Sequence, residues 1–225
     1  MTPIELQNAF EIEMNRMDSS LVISTDRMFH YINRAVEEFV ESRLDEGKLE
    51  LTDSHNFELS TLVIRVEITP TADIATGAKP NSYTADMPDD YLHKLDEEVE
   101  LTISAVDSRH SITECTSDTY RSHIDDVYSE HILKYGKANP LRLFENDQAI
   151  LIGDGDYTVK TYYLRYIKHP QEVDLNAYIV SSSNGLLELP DHTHPDIVKI
   201  AVRMAIEGNF DPRYQTYLNE SSKVE

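Results

Sequence analysis

The chain has 225 residues, enough to bury a sizeable core in one large domain or two small ones. Acidic residues outnumber basic ones 41 to 20, and a formal net charge of −21 opposes binding to nucleic acid or an anionic membrane. Hydrophobic residues at 40% form no stretch long enough to span a membrane, and the single cysteine, Cys115, excludes an intramolecular disulfide framework and fits a reducing compartment.

The start, MTPIELQNAFEIEMN, is polar and acidic, unlike a secretory signal or a transit peptide. Leu6, Ala9, Phe10, Met14 and Met17 fall at helical spacing, with Thr2 and Pro3 suited to the cap and first turn. After a short break, Met28, Ile32, Ala35, Val36 and Phe39 form one apolar stripe, opened by Ser24 or Thr25 and stopped by Gly47. Two helices on a short link predict an antiparallel pair.

The middle of the chain changes character. STLVIRVEIT, residues 60–69, is β-branched and partly alternating, which predicts a strand. PTADIATGAKPNS is rich in turn residues and predicts an exposed loop over 70–81. The next segment reads as a strand, a short helix opened by Pro88, and a second strand ending near Ala105. SDTYRSHIDDVYSEHILKY predicts a helix over 117–136, with Tyr120, Ile124, Val127 or Tyr128, and His131 or Ile132 on one side. QAILIGDGDYTVKTYYLRYIKHP then places two β-rich runs around Gly153-Asp154-Gly155-Asp156, a hairpin signal closed by Pro170.

Toward the C-terminus, ELPDHTHPDIVKIAVRMAIEGNFDPRY brings Asp191, His192, His194 and Asp196 close together ahead of an apolar helix. Asp191 suits a cap, and Pro195 lies in the first turn, where a missing N–H costs little. Ile197, Ile200, Ala201, Met204 and Ala205 form a stripe, and Val198, Val202 and Ile206 a second row beside it. A helix apolar over that width is buried on two sides. The expected fold class is therefore α+β: a helical bundle from the N- and C-terminal helices, with a β-rich middle containing an antiparallel hairpin. A single domain spanning 1–225 is expected, helical over 1–48, 117–136 and 190–220 and β-rich over 58–110 and 141–180.

The sequence offers little chemistry. Read as a calcium loop from Asp154, GDGD has Arg165 at the distal twelfth position where a glutamate is needed, so the tetrad reads as a turn. His192 and His194 stand two apart, which on a helix points them about 200° away from each other and prevents joint ligation. Cys115 lacks the surroundings of a nucleophile, and there is no G-x-S-x-G or phosphate-cradling glycine loop among the 7 glycines. No catalytic residue, cofactor or metal ligand is assigned.

Several segments, in order, resemble the neck and adaptor ring proteins of tailed bacteriophages, in particular those of crAss-like, podovirus-type phages. INRAVEEFVESRL resembles their early helix, and MPDDYLHKLDEEVELTIS the element that precedes a strand. KANPLRLFENDQAILIGDGDYTVKTYYLRYIKHPQEVDL is similar to their signature hairpin, and LELPDHTHPDIVKIAVRMAIEGNFDPRYQTY to their closing helix. The resemblance implies a structural virion protein made in the host bacterial cytoplasm. It implies a closed homo-oligomeric ring of about twelve copies, seated below the portal protein in the head-to-tail connector among other neck or tail rings. Genomic DNA would pass through its channel without specific binding, and no membrane is implied. An acidic wall suits that passage, since like charge lets DNA slide.

Two other functions remain open from sequence: an assembly factor or binding module absent from the mature virion, and a metal-dependent hydrolase using His192 and His194. Interface candidates are Arg213, Tyr214 and Tyr217 after Gly208, because tyrosine and arginine bury area while keeping a polar handle. Asp154 and Asp156 at the GDGD tip and the 70–81 loop are the others, since binding is often carried by loops.

Overall fold

The computed structural model describes residues 1–17, 23–46, 57–73, 81–126, 128–181 and 185–209. The chain divides into two compact units, one from Met1–Leu62 with Pro170–Glu225 and the other from Val63–His169. The first is helical and joins both ends of the chain; the second is the β-rich middle.

In the helical unit, α1 spans Pro3–Met17 and α2 spans Thr25–Glu46. A capping box opens α1: Thr2 Oγ1 accepts from the Glu5 N–H at 3.3 Å, and Glu5 Oε2 accepts from the Thr2 N–H at 2.8 Å. Leu6, Phe10 and Met14 are buried as the spacing predicts, whereas Met17 is exposed. A short helix over Leu175–Val180 (α3 of this unit) lies within the 141–180 span expected to be β-rich. Asp174 explains it, since its carboxylate caps the helix by accepting from the Asn176 N–H at 2.8 Å. Asn33 on α2 holds the preceding loop through both its amide groups, donating to Val173 O and accepting from the Val173 N–H.

The C-terminal helix, α4 of this unit, spans His194–Asn209 and packs against both α1 and α2. Ile197, Val198, Ala201, Val202 and Ala205 are all buried on it. Each fully buried Ile or Val contributes about 1.5–3 kcal/mol, so this helix holds the bundle together. The two apolar rows seen in the sequence thus find their partners inside the unit.

The β unit contains β1 (Val63–Ile68), β2 (Thr71–Asp73), β3 (Ser82–Asp86), β4 (Tyr91–Ile103), β5 (Val106–Ser111), β6 (Thr113–Glu114), β7 (Leu141–Glu145), β8 (Gln148–Ile152) and β9 (Thr158–Lys168). They form a four-stranded sheet ordered β1-β9-β4-β5 and a five-stranded sheet ordered β2-β3-β8-β7-β6. All pairs are antiparallel except β6 with β7. The core combines Val99, Leu101, Tyr162 and Leu164 of one sheet with Ala149 and Leu151 of the other. On β8 the alternate residues Ile150 and Ile152 pack instead with Cys115, Leu141, Tyr120 and Ile124. Both faces of β8 are covered, which is why its sequence is a continuous apolar run.

Three expectations are corrected. No helix follows Pro88; Asp89 and Asp90 form a turn that leads straight into β4. The helix predicted over 117–136 is reduced to Tyr120–Asp125, because the Asp126 carboxylate accepts from the Tyr128 N–H at 2.8 Å and turns the chain away. GDGD does not close a hairpin: β8 and β9 lie in different sheets, and Gly153–Asp156 carries the chain from one to the other. Two-residue hairpin turns lie elsewhere, at Ser104-Ala105 between β4 and β5 and at Asn146-Asp147 between β7 and β8. Both pairs have positive φ, as a two-residue primed turn requires.

Candidate functional site

The GDGD corner is a clamp. Asp154 Oδ1 accepts from the Asp156 N–H at 2.9 Å, an Asx turn within the corner itself. Its other oxygen, Oδ2, accepts from the Leu133 N–H at 2.6 Å and so ties down a loop distant in sequence. Asn81 Nδ2 donates to the Asp154 backbone oxygen at 3.0 Å. Gly155, at φ +98, presses against Asn81, and a Cβ added there would sit 3.0 Å from Asn81 Nδ2. Only glycine meets that combination of dihedral and close approach. Asp156 is exposed, while Asp154 is partly buried with its carboxylate committed to backbone N–H groups.

The clamped loop, residues 128–139, is further fixed by buried groups. Tyr157 OH donates to His131 O at 2.9 Å, His131 Nδ1 lies 2.9 Å from Ser129 Oγ, and Ala138 is buried in the core. Burial holds the His131 pKa below the ordinary histidine value. Glu130 accepts from Thr113 Oγ1 and Asn139 Nδ2, and the Asn139 bond leads the lowering of its pKa. At the tip, Lys134 and Lys137 exchange both backbone hydrogen bonds, at 2.9 and 3.0 Å, around Tyr135-Gly136. Tyr135 sits at φ 53 and Gly136 at φ 76, a type I′ turn. Gly136 suits it; Tyr135, a bulky residue in the left-handed region, does not. Its ring is fully exposed, Tyr128 is 86% exposed, and the Lys134 ammonium lies 5.2 Å from the Tyr128 ring centroid.

At the other end of the five-stranded sheet, beside the β7–β8 turn, lies an open cleft of about 640 Å³. Met87, Pro88, Tyr91 and Phe144 supply its apolar surface, and Asp89, Glu145 and Asp147 its carboxylates. The Met87 N–H donates to Asp147 O at 3.2 Å, joining the two loops that form it. Tyr91 stands between Phe144 and Tyr166, with ring centroids 6.3 and 5.7 Å away. The Arg142 guanidinium lies 4.0 Å from the Phe144 ring centroid and 3.3 Å, from Nε, to Glu97 Oε1. Glu97 also accepts from Tyr162 OH at 2.9 Å and from Lys94 Nζ at 3.0 Å, and Glu114 pairs with both Lys94 and Arg142. Glu97 and Arg142 are the buried pair of this set and link a strand of each sheet, whereas Glu114 is largely exposed.

The histidines that stood out in the sequence separate. His192 stacks on Phe57 at 5.3 Å between ring centroids. His194 is buried, with Nε2 2.7 Å from Leu189 O and Nδ1 2.8 Å from the Met1 amino group, and burial leads the lowering of its pKa. Asp191 opens a short 3-10 turn instead of capping α4, and its carboxylate lies 3.0 Å from the Met1 amino group. Among the described residues no group of three or more His, Cys, Asp or Glu side chains is placed to hold a metal ion, and no helix is long and apolar enough to cross a membrane. Arg213, Tyr214 and Tyr217 lie outside the described residues.

The geometry thus offers presented loops and an aromatic, acidic cleft. Comparison with known protein families returns a match to phage tail ring protein 3/4 over residues 1–211. The chain belongs to that family. The match takes in both ends of the helical bundle and the whole β unit, so the resemblance drawn from the ordered sequence segments holds across the fold. Membership makes this ring protein a structural component of a phage tail. No curated protein matches it. The tip at Tyr135 is the feature sequence reasoning missed in the ring protein: K-Y-G-K was absorbed into a predicted helix, although Tyr-Gly between flanking lysines was a turn signal.

Proposed function

We propose that the chain assembles into a closed homo-oligomeric ring in the head-to-tail connector, below the portal protein and stacked with other neck or tail rings, around the channel through which genomic DNA passes. The family match over residues 1–211 carries this reading. The net charge of −21 supports it, because an acidic ring repels the DNA backbone and leaves the channel non-adhesive. A ring of about twelve copies requires a heterologous interface, in which one surface of each copy meets a different surface of the next. Arg213, Tyr214 and Tyr217 are proposed to contribute to the contacts with neighbours. Asp154 and Asp156 serve them through the loop that Asp154 restrains.

Electron cryomicroscopy of purified particles tests the reading by locating the chain and its symmetry. A ring between portal and tail, coaxial with the DNA, is expected. Absence from mature particles, with presence in infected cells, would replace this reading by that of an assembly factor; a position elsewhere in the tail would overturn the connector assignment.

A further inference from the structure

The Lys134–Lys137 tip and the Met87–Asp147 cleft lie at opposite ends of one rigid sheet. β8 runs from Gln148, paired with Asp86 and Glu145, to Ile152, paired with Ser82 and Leu141. The cleft is built from the loops beyond the first end, and the tip is held by Asp154, just beyond the second. Five strand residues at about 3.4 Å each separate these ends by roughly 15 Å, so the tip of one molecule does not reach its own cleft.

Their chemistry is reciprocal. The tip presents an exposed phenol in a turn bracketed by Lys134 and Lys137, while the cleft presents aromatic and aliphatic surface beside carboxylates. We propose that the tip of one copy seats in the cleft of the next, with Tyr135 against Phe144 and Pro88 and with Lys134 and Lys137 facing Asp89, Glu145 and Asp147. This contact rests on the ring reading and supplies the head-to-tail surface pair that a closed ring needs.

Three observations favour a second copy as the occupant. A tyrosine occupies a left-handed turn position where glycine, asparagine or aspartate is favoured, and its ring, fully exposed, packs against nothing in its own chain that would offset the strain. The loop beneath it is immobilised by the Asp154 carboxylate, the Tyr157 hydroxyl and the burial of Ala138, so little ordering entropy is lost on docking. The complementary charge is present on the same chain, whose carboxylates outnumber its cations 41 to 20. Two lysines in so acidic a molecule are a poor match for DNA, which is bound through many phosphate contacts.

Charge reversal provides the test, read by native mass spectrometry and analytical ultracentrifugation. The Lys134→Glu/Lys137→Glu pair and the Asp89→Lys/Glu145→Lys pair should each fold, by circular dichroism, and each fail to self-assemble. Mixed in equal amounts they should assemble, because each tip then meets a cleft of opposite charge. Tyr135→Ala should weaken association roughly 30-fold, the size of a central aromatic contact. If the wild type forms rings and the variants do so equally well, this contact is wrong and the ring reading stands. Should the wild type not assemble alone, carbodiimide cross-linking of purified particles decides. A zero-length link from Lys134 or Lys137 to Asp89, Glu145 or Asp147 has to be intermolecular and supports the contact. Rings without such links overturn it. Absence of the chain from particles overturns the ring reading itself.

Discussion

Replacing Asp154 by alanine removes two hydrogen bonds from a carboxylate, to the Leu133 N–H at 2.6 Å and the Asp156 N–H at 2.9 Å. They differ in consequence. The Asp156 N–H is at an exposed corner and turns to water, whereas the Leu133 bond is partly buried and its donor loses its partner. A hydrogen bond to a charged group is worth about 1.5–3 kcal/mol, so the variant should be destabilised by about 2–3 kcal/mol in total. For a chain of this size that lowers the Tm by roughly 4–12 °C. Asp154→Asn keeps one acceptor oxygen and should lose about half as much. Thermal unfolding by circular dichroism measures the loss, and hydrogen exchange followed by mass spectrometry localises it, with faster exchange expected at Leu133 and across residues 128–139. Because both carboxylate oxygens are already engaged, added calcium should leave the wild-type Tm unchanged. A Tm within a degree of wild type, or unchanged exchange in the loop, would refute the clamp.

Tyr135→Gly should raise the stability of the isolated protein by about 0.5–1 kcal/mol, because glycine adopts φ 53 without strain, while weakening self-association; denaturant titration and sedimentation read the two effects separately. Gly155→Ala should cost about 1–3 kcal/mol in chemical denaturation, since alanine at φ +98 is strained and its Cβ meets Asn81 Nδ2 at 3.0 Å. Arg142→Met leaves the buried Glu97 with Lys94 as its remaining cation, and a loss of roughly 3 kcal/mol is expected in the same assay. Burial lowers the pKa values of His131 and His194, so both are kept neutral in the fold and protonate more readily when unfolded. Their stabilising contribution is complete above the unfolded value of about 6.5 and is lost as pH falls from there through the lowered folded values; a Tm that stays flat down to pH 5 would contradict this.

The helical unit was legible because its signals are periodic. Leu6, Phe10 and Met14, then Met28, Ile32 and Phe39, then Ile197, Ala201 and Ala205 repeat at helical spacing, and all are buried. The β unit was legible in content and not in connection. QAILI and TVKTYYLRYIK read as strands on either side of a glycine-rich turn, yet sequence spacing does not say whether the second run pairs with the first or crosses to another sheet. Here β9 finds β1 and β4, since its alternating Tyr162, Leu164 and Tyr166 complete the face that opposes β8. The loop over 128–139 differs from its predicted helix for a related reason. Its apolar residues fit a helical face, but the Asp126 side chain competes for a local N–H, and Asp154, distant in sequence, takes another.

By itself, the sequence determined which segments are helical at the two ends, the β-rich character of the middle, the acidity, and the family to which the ordered motifs belong. Those properties follow from local periodicity, composition and chain order. Tertiary structure alone decided that GDGD is a corner and clamp, that His192 and His194 go to separate partners, and that a cationic tyrosine tip and an acidic cleft stand at opposite ends of one sheet. Each depends on hydrogen bonds and packing between residues far apart in the chain, which local pattern does not encode.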